Sequence, residues 1–242
     1  MLQNKTIDIM QTLSREFYLR DAVTVARELL GKRLVRFVTD LENSKKSSRT
    51  ISPFTSGIIV ETEAYAGWND KACHSYKHES PRSNHRTNIM FDKGGMAYVY
   101  LIYGMYNCFN VVANIAGNPE AVLIRALEPQ DGIEIMKQRQ QYRYNKSEKN
   151  EISEISEKSD KSKIKRLCNG PGKLCIAMGI TLNDYGKDLC GNEIFITEGI
   201  EIPPNNIIAT PRINVDYAEE AADFPYRFVI RDNQFISTRK FI

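Results

Sequence analysis

Residues 58–65, IIVETEAY, and residues 97–110, AYVYLIYGMYNCFN, carry the pattern from which the fold is read. Strand side chains alternate with period 2, so the first stretch, taken as a strand, places Ile59, Glu61, Glu63 and Tyr65 on one face. Two carboxylates and a phenol then share a wall. The second stretch predicts two strands, 97–103 and 107–113, joined by a turn at Gly104-Met105, with Tyr98 and Tyr100 facing one way and Tyr103 the other. Between the two stretches, residues 66–95 are polar and irregular, with turn signals at Pro81 and Gly94-Gly95, and read as an excursion over the same face. ACHS at 72–75 lies in it, so acid, imidazole and aromatics occur at spacings suited to holding a base.

Working outward, residues 20–30 show helical spacing, with Asp21 placed to cap the start and Gly31 to stop it. A strand from Lys32 to Val38 follows, and residues 40–57 have the Ser, Pro and charge content of a long hairpin loop. A strand from Ala121 to Leu127 ends at Glu128-Pro129, and a helix runs from about Asp131 to Arg143. Residues 145–166 are low in apolar content and predict a mobile surface insertion, its basic end, Lys161 to Arg166, read as a solvated charge run. Gly170-Pro171-Gly172 turns into an apolar helix, and late strands are expected near 193–197, 206–215 and 226–237. There is no internal repeat.

Composition sets the outer limits. At 242 residues and 42% apolar content, one globular domain with a substantial core is the expectation. A net charge of +3 and a pI near 8.5 permit a polyanionic partner without predicting one. The first twenty residues lack the apolar core of a secretory signal, and no uncharged apolar run reaches eighteen residues, so a soluble intracellular protein is expected, with no membrane partner. Cysteines at 73, 108, 168, 175 and 190, without CxxC spacing, read as buried thiols in a reducing compartment. Cys73, His74, Glu61 and Glu63 do not show the tight ligand pairs of a zinc site, so no metal is expected.

A series of motifs, in order and spanning most of residues 20–232, resembles the alkyladenine (3-methyladenine) DNA glycosylase family of mammals and many bacteria. They are VARELLGKRLVR at 25–36, IVETEAY at 59–65, ACHS at 72–75, MAYVYLIYGMYNCFNVV at 96–112, VLIRALEP at 122–129, NGPGKLCIAMGI at 169–180, PRINV at 211–215 and PYRFVI at 225–230. The resemblance implies a mixed α/β (α+β) single domain over 1–242: a curved, largely antiparallel sheet with flanking helices and a protruding, DNA-inserting hairpin. It implies a monofunctional enzyme that flips a damaged purine out of duplex DNA and hydrolyses its N-glycosidic bond. Cleavage develops positive charge on the sugar, so such a site needs an anion and a positioned water.

By the motif match, Glu63 is the general base and Arg125 helps to hold the water, with a main-chain carbonyl at Ile213 or Val215 as third contact. Read from the residues alone, Glu63 and Arg125 better suit a structural ion pair at a sheet edge, a reading that the motif match reverses. Tyr65, His74 and Tyr100 match the walls of the base pocket, and Asn110 matches the residue that crowds the amino group of normal guanine. Tyr103 matches the wedge at the hairpin tip, whereas Tyr98 and Tyr106 are read as ordinary core. Arg82, Arg86 and Lys93 are candidate phosphate contacts. Asn214 stands where the family has glycine, Asp232 replaces a turn glycine, and 145–166 is longer and more charged than usual; asparagine tolerates left-handed backbone better than most residues.

The implied partner is double-stranded DNA containing damaged purines, bound by a monomer without cofactor or obligate protein partner. The place of action is the cytoplasm at the bacterial nucleoid, or the nucleus in a eukaryote. Two alternatives remain: a noncatalytic minor-groove damage-binding protein, which has no need of Glu63 paired with Arg125, and a metal-dependent hydrolase using Glu61, Glu63 and His74. Lyase chemistry would need a lysine, and none falls among the matched pocket positions.

Overall fold

Eight antiparallel strands form one open sheet in the computed structural model, which describes residues 11–38, 53–83, 85–147 and 160–240. A helical turn, α1 (Arg15–Tyr18), and helix α2 (Ala22–Glu28) lead into β1 (Arg33–Phe37) and β2 (Phe54–Tyr65). The hairpin β3 (Ala97–Ile102) and β4 (Tyr106–Ala113) is followed by β5 (Glu120–Asp131), α3 (Ile133–Ser147), α4 (Asp160–Leu167) and α5 (Pro171–Met178). Three short strands complete the sheet: β6 (Ile194–Thr197), β7 (Ile207–Thr210) and β8 (Arg227–Ile230). The order is β3-β4-β5-β2-β1-β6; β1 pairs with the first half of β2, and β8, itself paired to β7, with Glu61–Glu63. This is the mixed α/β single domain that the motifs imply.

Local signals place several ends. The Asp21 carboxylate accepts the Thr24 amide at 2.9 Å and starts α2. Gly31, at φ +85°, stops it where a Cβ would lie 2.2 Å from the Ile200 carbonyl oxygen. Other boundaries depart from the sequence reading. β5 runs on through Pro129 to Asp131, because the Ser56–Gly57 register shift falls opposite the proline and spares it a ladder bond. β7 and β8 are four residues each, since PRINV and the segment after Ile230 turn away to cover the sheet. The expected insertion at 145–166 is helical at both ends, in α3 and α4; its middle lies outside the described residues.

One face of the sheet packs on α2 and α5, through Ile59, Ala64, Phe109, Val111 and Ile124. The other face lies beneath the 66–95 excursion and the C-terminal segment, where Ile58, Val60 and Ala126 meet Phe235 and Ile236. This division corrects the expected face of Ile59. Ile59 pairs with Leu127, Glu61 with Ala126 and Thr62 with Ile124, so Val60 is an extra residue on β2 and Arg125 an extra residue on β5. The double irregularity reverses the alternation: Ile59 points to the helices, while Val60 and the adjacent Glu61 both lie on the opposite face. Glu61, Glu63 and Tyr65 remain together, and Arg125 is delivered onto their side.

Candidate active site

The bulge residue Arg125 is the hinge of the site. Its Nε donates to Glu61 Oε1 at 3.0 Å, its Nη1 lies 3.2 Å from Glu63 Oε1, and its Nη2 donates to Ser237 Oγ at 3.3 Å. The two carboxylates are fully buried. Glu63 also accepts the Tyr65 hydroxyl on Oε2 at 2.8 Å and the Ile213 amide on Oε1 at 2.7 Å. A carboxylate offers about four lone-pair positions. Oε1 takes the Ile213 amide with Arg125 Nη1 beside it as an ion pair, and Oε2, which accepts the Tyr65 hydroxyl, keeps one acceptor position.

Glu63 stands directly behind the wall of a cavity of about 770 Å³, and its three partners, Tyr65, Arg125 and Ile213, all line that cavity. Tyr100 and His74 form further walls, their rings 4.7 Å apart and edge-on at 76°. Tyr98 stacks beside Tyr100 at 5.3 Å, and its hydroxyl meets His74 Nδ1 at 2.9 Å. Tyr98 is thus buried, as expected, but it also orients a cavity wall. Tyr106 corrects its expectation: 40% exposed, it packs on Gly172 near the hairpin tip, because it pairs with Ile102 at the rung next to the turn, beyond β5, which pairs with β4 only from Asn110 onward. Asn110 lines the cavity while its amide donates to the Tyr98 carbonyl at 3.0 Å, which fixes the side chain in one orientation.

Burial, reinforced by Arg86 and His85, pushes the His74 pKa from 6.5 down to about 4. The imidazole is consequently neutral at physiological pH and does not repel a cationic ring. The unfolded chain takes up this proton near 6.5 and the folded chain not until about 4, so stability falls as pH drops through that window. Nitrogen NMR of the imidazole should show the neutral form down to about pH 4; a midpoint near 6.5 in the folded protein would remove this source of selectivity.

Tyr103 stands at the hairpin tip, 74% exposed, with φ +52° beside Gly104 at +66°. Asn214 is at φ +60° and Asp232 at +56°, so both replacements for glycine occupy left-handed backbone. Asn214 and Val215 line the cavity with Ile213. The recorded contact of Ile213 to Glu63 is its amide, and the Val215 carbonyl accepts the Ala218 amide at 2.9 Å. Of the three basic candidates, Arg86 lines the cavity, its guanidinium 5.3 Å from the Tyr100 ring; Arg82 and Lys93 are exposed on the same excursion.

Sequence reading missed the support of this site. Arg227, fully buried, donates to Glu61 Oε1 at 2.8 Å and to the Thr238 and Lys240 carbonyls at 2.6 and 3.0 Å. Ser237 donates its amide to Glu61 Oε2 at 2.5 Å and its hydroxyl to Oε1 at 2.8 Å. Burial works to raise the Glu61 pKa, yet Arg125 and Arg227 outweigh it and hold the carboxyl below its usual range. Arg212 makes a two-pronged pair with Asp70 at 2.5 and 2.8 Å and lies 4.9 Å from the Tyr65 ring, tying the Ile213 loop to the cavity wall. An arginine flanked by apolar residues, as in PYRFVI and PRINV, was the available signal.

Among the described residues no cluster of His, Cys, Asp and Glu could hold a metal ion, and no helix is long and apolar enough to cross a membrane. The chain matches the family model for methylpurine-DNA glycosylase over residues 16–234. Curated proteins named "Putative 3-methyladenine DNA glycosylase" are similar over nearly full length. That of Desulfitobacterium hafniense is 44% identical over 230 residues, covering 95% of this chain and 100% of its own. That of Alkaliphilus oremlandii is 48% identical over 227 residues, covering 94% and 99%. That of Bacillus mycoides is 46% identical over 229 residues, covering 91% and 97%.

Proposed function

Because the chain belongs to the methylpurine-DNA glycosylase family and is a DNA N-glycosylase, we propose that it turns an alkylated purine out of the duplex into the Tyr65–His74–Tyr100 cavity and hydrolyses the bond to C1′ with a water activated by Glu63. The observation that carries this reading is the Glu63 carboxylate, held from three sides by cavity-lining groups with one acceptor position left on Oε2. A water bonded there loses its proton to Glu63 as its oxygen attacks C1′ and the purine leaves with the bonding electrons. Arg125 and a second lone pair on the Ile213 or Val215 carbonyl complete the hold on the water. The enzyme acts as a monomer, at the nucleoid if bacterial; free thiols at all five cysteines suit a reducing compartment.

Selectivity begins with charge. A purine alkylated at N3 or N7 is cationic, so electron-rich rings attract it by about 0.5–2 kcal/mol more than a normal base. The same charge weakens the glycosidic bond and reduces the need for an acid at the leaving group. Asn110, which lines the cavity with its amide held on the Tyr98 carbonyl, is the residue we assign to crowd the amino group of normal guanine.

A panel of duplexes, each carrying one methylated purine, hypoxanthine or etheno adduct, tests this reading by abasic-site formation. Methylated purines should be released at full rate in EDTA, and borohydride should trap no covalent complex. Loss of activity on chelation would favour a metal-dependent hydrolase, and tight lesion binding without base release would favour a damage-binding protein.

A further inference from the structure

Glu61 has no place in the chemistry above, yet it is the most heavily bonded carboxylate behind the cavity: Arg125, Arg227 and both donors of Ser237 converge on it. A buried carboxylate is costly unless it is paired, so four donors answer its desolvation. They also fix its position relative to the sheet, because Arg227 is anchored in turn to the Thr238 and Lys240 carbonyls. The Arg125 guanidinium is thus gripped along its Nε edge, and a single Nη reaches Glu63.

Resting on the assignment of Glu63 as base, we propose that Glu61 is a positioning residue, which holds Arg125 turned so that it contacts Glu63 through one nitrogen and leaves an acceptor position on Oε2 unfilled for the attacking water. Guanidinium and carboxylate prefer a two-pronged pairing when both are free to rotate. Without Glu61, Arg125 turns to face Glu63 with two nitrogens, and the second occupies the acceptor position that the water needs. The extra residue at Arg125 on β5 and the extra Val60 next to Glu61 on β2 bring the two side chains onto one face.

Single-turnover excision of 7-methylguanine from a duplex, measured with enzyme in saturating excess, separates positioning from stability, since a misfolded fraction only reduces the excess and leaves the rate constant. Glu61→Ala, which removes the oxygen that accepts Arg125 Nε, should lower the rate constant by about tenfold or more, within the range a misplaced general base forfeits. Its dissociation constant for the same duplex should stay within about twofold of the parent's, because the group touches no DNA. Ser237→Ala removes one hydroxyl that touches both Glu61 and Arg125 and should lower the rate constant by a few-fold with the same split. Should Glu61→Ala fail to fold, Ser237→Ala decides alone. Unchanged rate constants beside an inactive Glu63→Gln overturn this inference and spare the assignment of Glu63. A normal rate in Glu63→Gln overturns both.

Discussion

Glu63→Gln should bind lesion-containing duplex as the parent does and release base about 10²–10⁴-fold more slowly, the contribution of a positioned general base. The substitution is nearly isosteric, and each existing bond has a replacement. The Gln carbonyl oxygen still accepts the Ile213 amide and stays beside Arg125 Nη1, and the Tyr65 hydroxyl can turn from donor to acceptor for the new amide N–H. Arg125 keeps Glu61 as counter-charge, so the fold does not acquire an unpaired buried cation. What is lost is the acceptor that takes the water's proton and the negative charge beside the oxocarbenium-like sugar. Single-turnover release and equilibrium binding on one 7-methylguanine duplex give the two numbers. Excision at the parent's rate would mean that the proton goes elsewhere and that Glu63 and Arg125 are the structural ion pair their sequence pattern alone favours.

That ambiguity shows where sequence reading stops. The β3–β4 hairpin, α2 and the company of Glu63 with Tyr65 were legible because they depend on local alternation, caps and turn residues. The face of Ile59 was not, since a bulge on each of two strands far apart in sequence reverses the alternation and no local residue announces it. The same bulges bring Arg125 to Glu61, so the pairing that organises the site depends on register and not on propensity. Arg227 and Ser237 were missed for a related reason: they reach Glu61 across 166 and 176 residues of chain, through strand pairing and a C-terminal segment with little regular structure. Asn214 was legible as a left-handed position because its side chain suits that backbone, whereas the Ile213 amide on Glu63 was not, since any residue but proline has that N–H.

Tyr103→Ser should cost about ten- to a hundredfold in affinity for lesion duplex while leaving affinity for undamaged duplex and the fold intact. Tyrosine is a poor choice for φ +52°, a conformation that costs a bulky residue on the order of 1–3 kcal/mol, and no packing gain offsets it at 74% exposure. The neighbouring Gly104 supplies the second left-handed residue of the turn, and the Met105 amide closes it on the Ile102 carbonyl at 3.1 Å. Arg143 braces the tip through the Met105 carbonyl at 2.7 Å, so the ring is presented on a supported turn. Extruding a nucleotide costs a few kcal/mol of stacking, and an aromatic ring placed in the gap recovers about 1–3 kcal/mol, which corresponds to the stated loss of affinity. Serine tolerates the exposed turn but cannot stack. Undamaged duplex is held mainly through phosphates, so its affinity and the salt dependence of binding should not move. The decisive quantity is the ratio of the two dissociation constants at one salt concentration: a ratio unchanged by the substitution would show that the ring does not enter the helix, and an equal loss on both duplexes would make Tyr103 a general DNA contact and not a wedge.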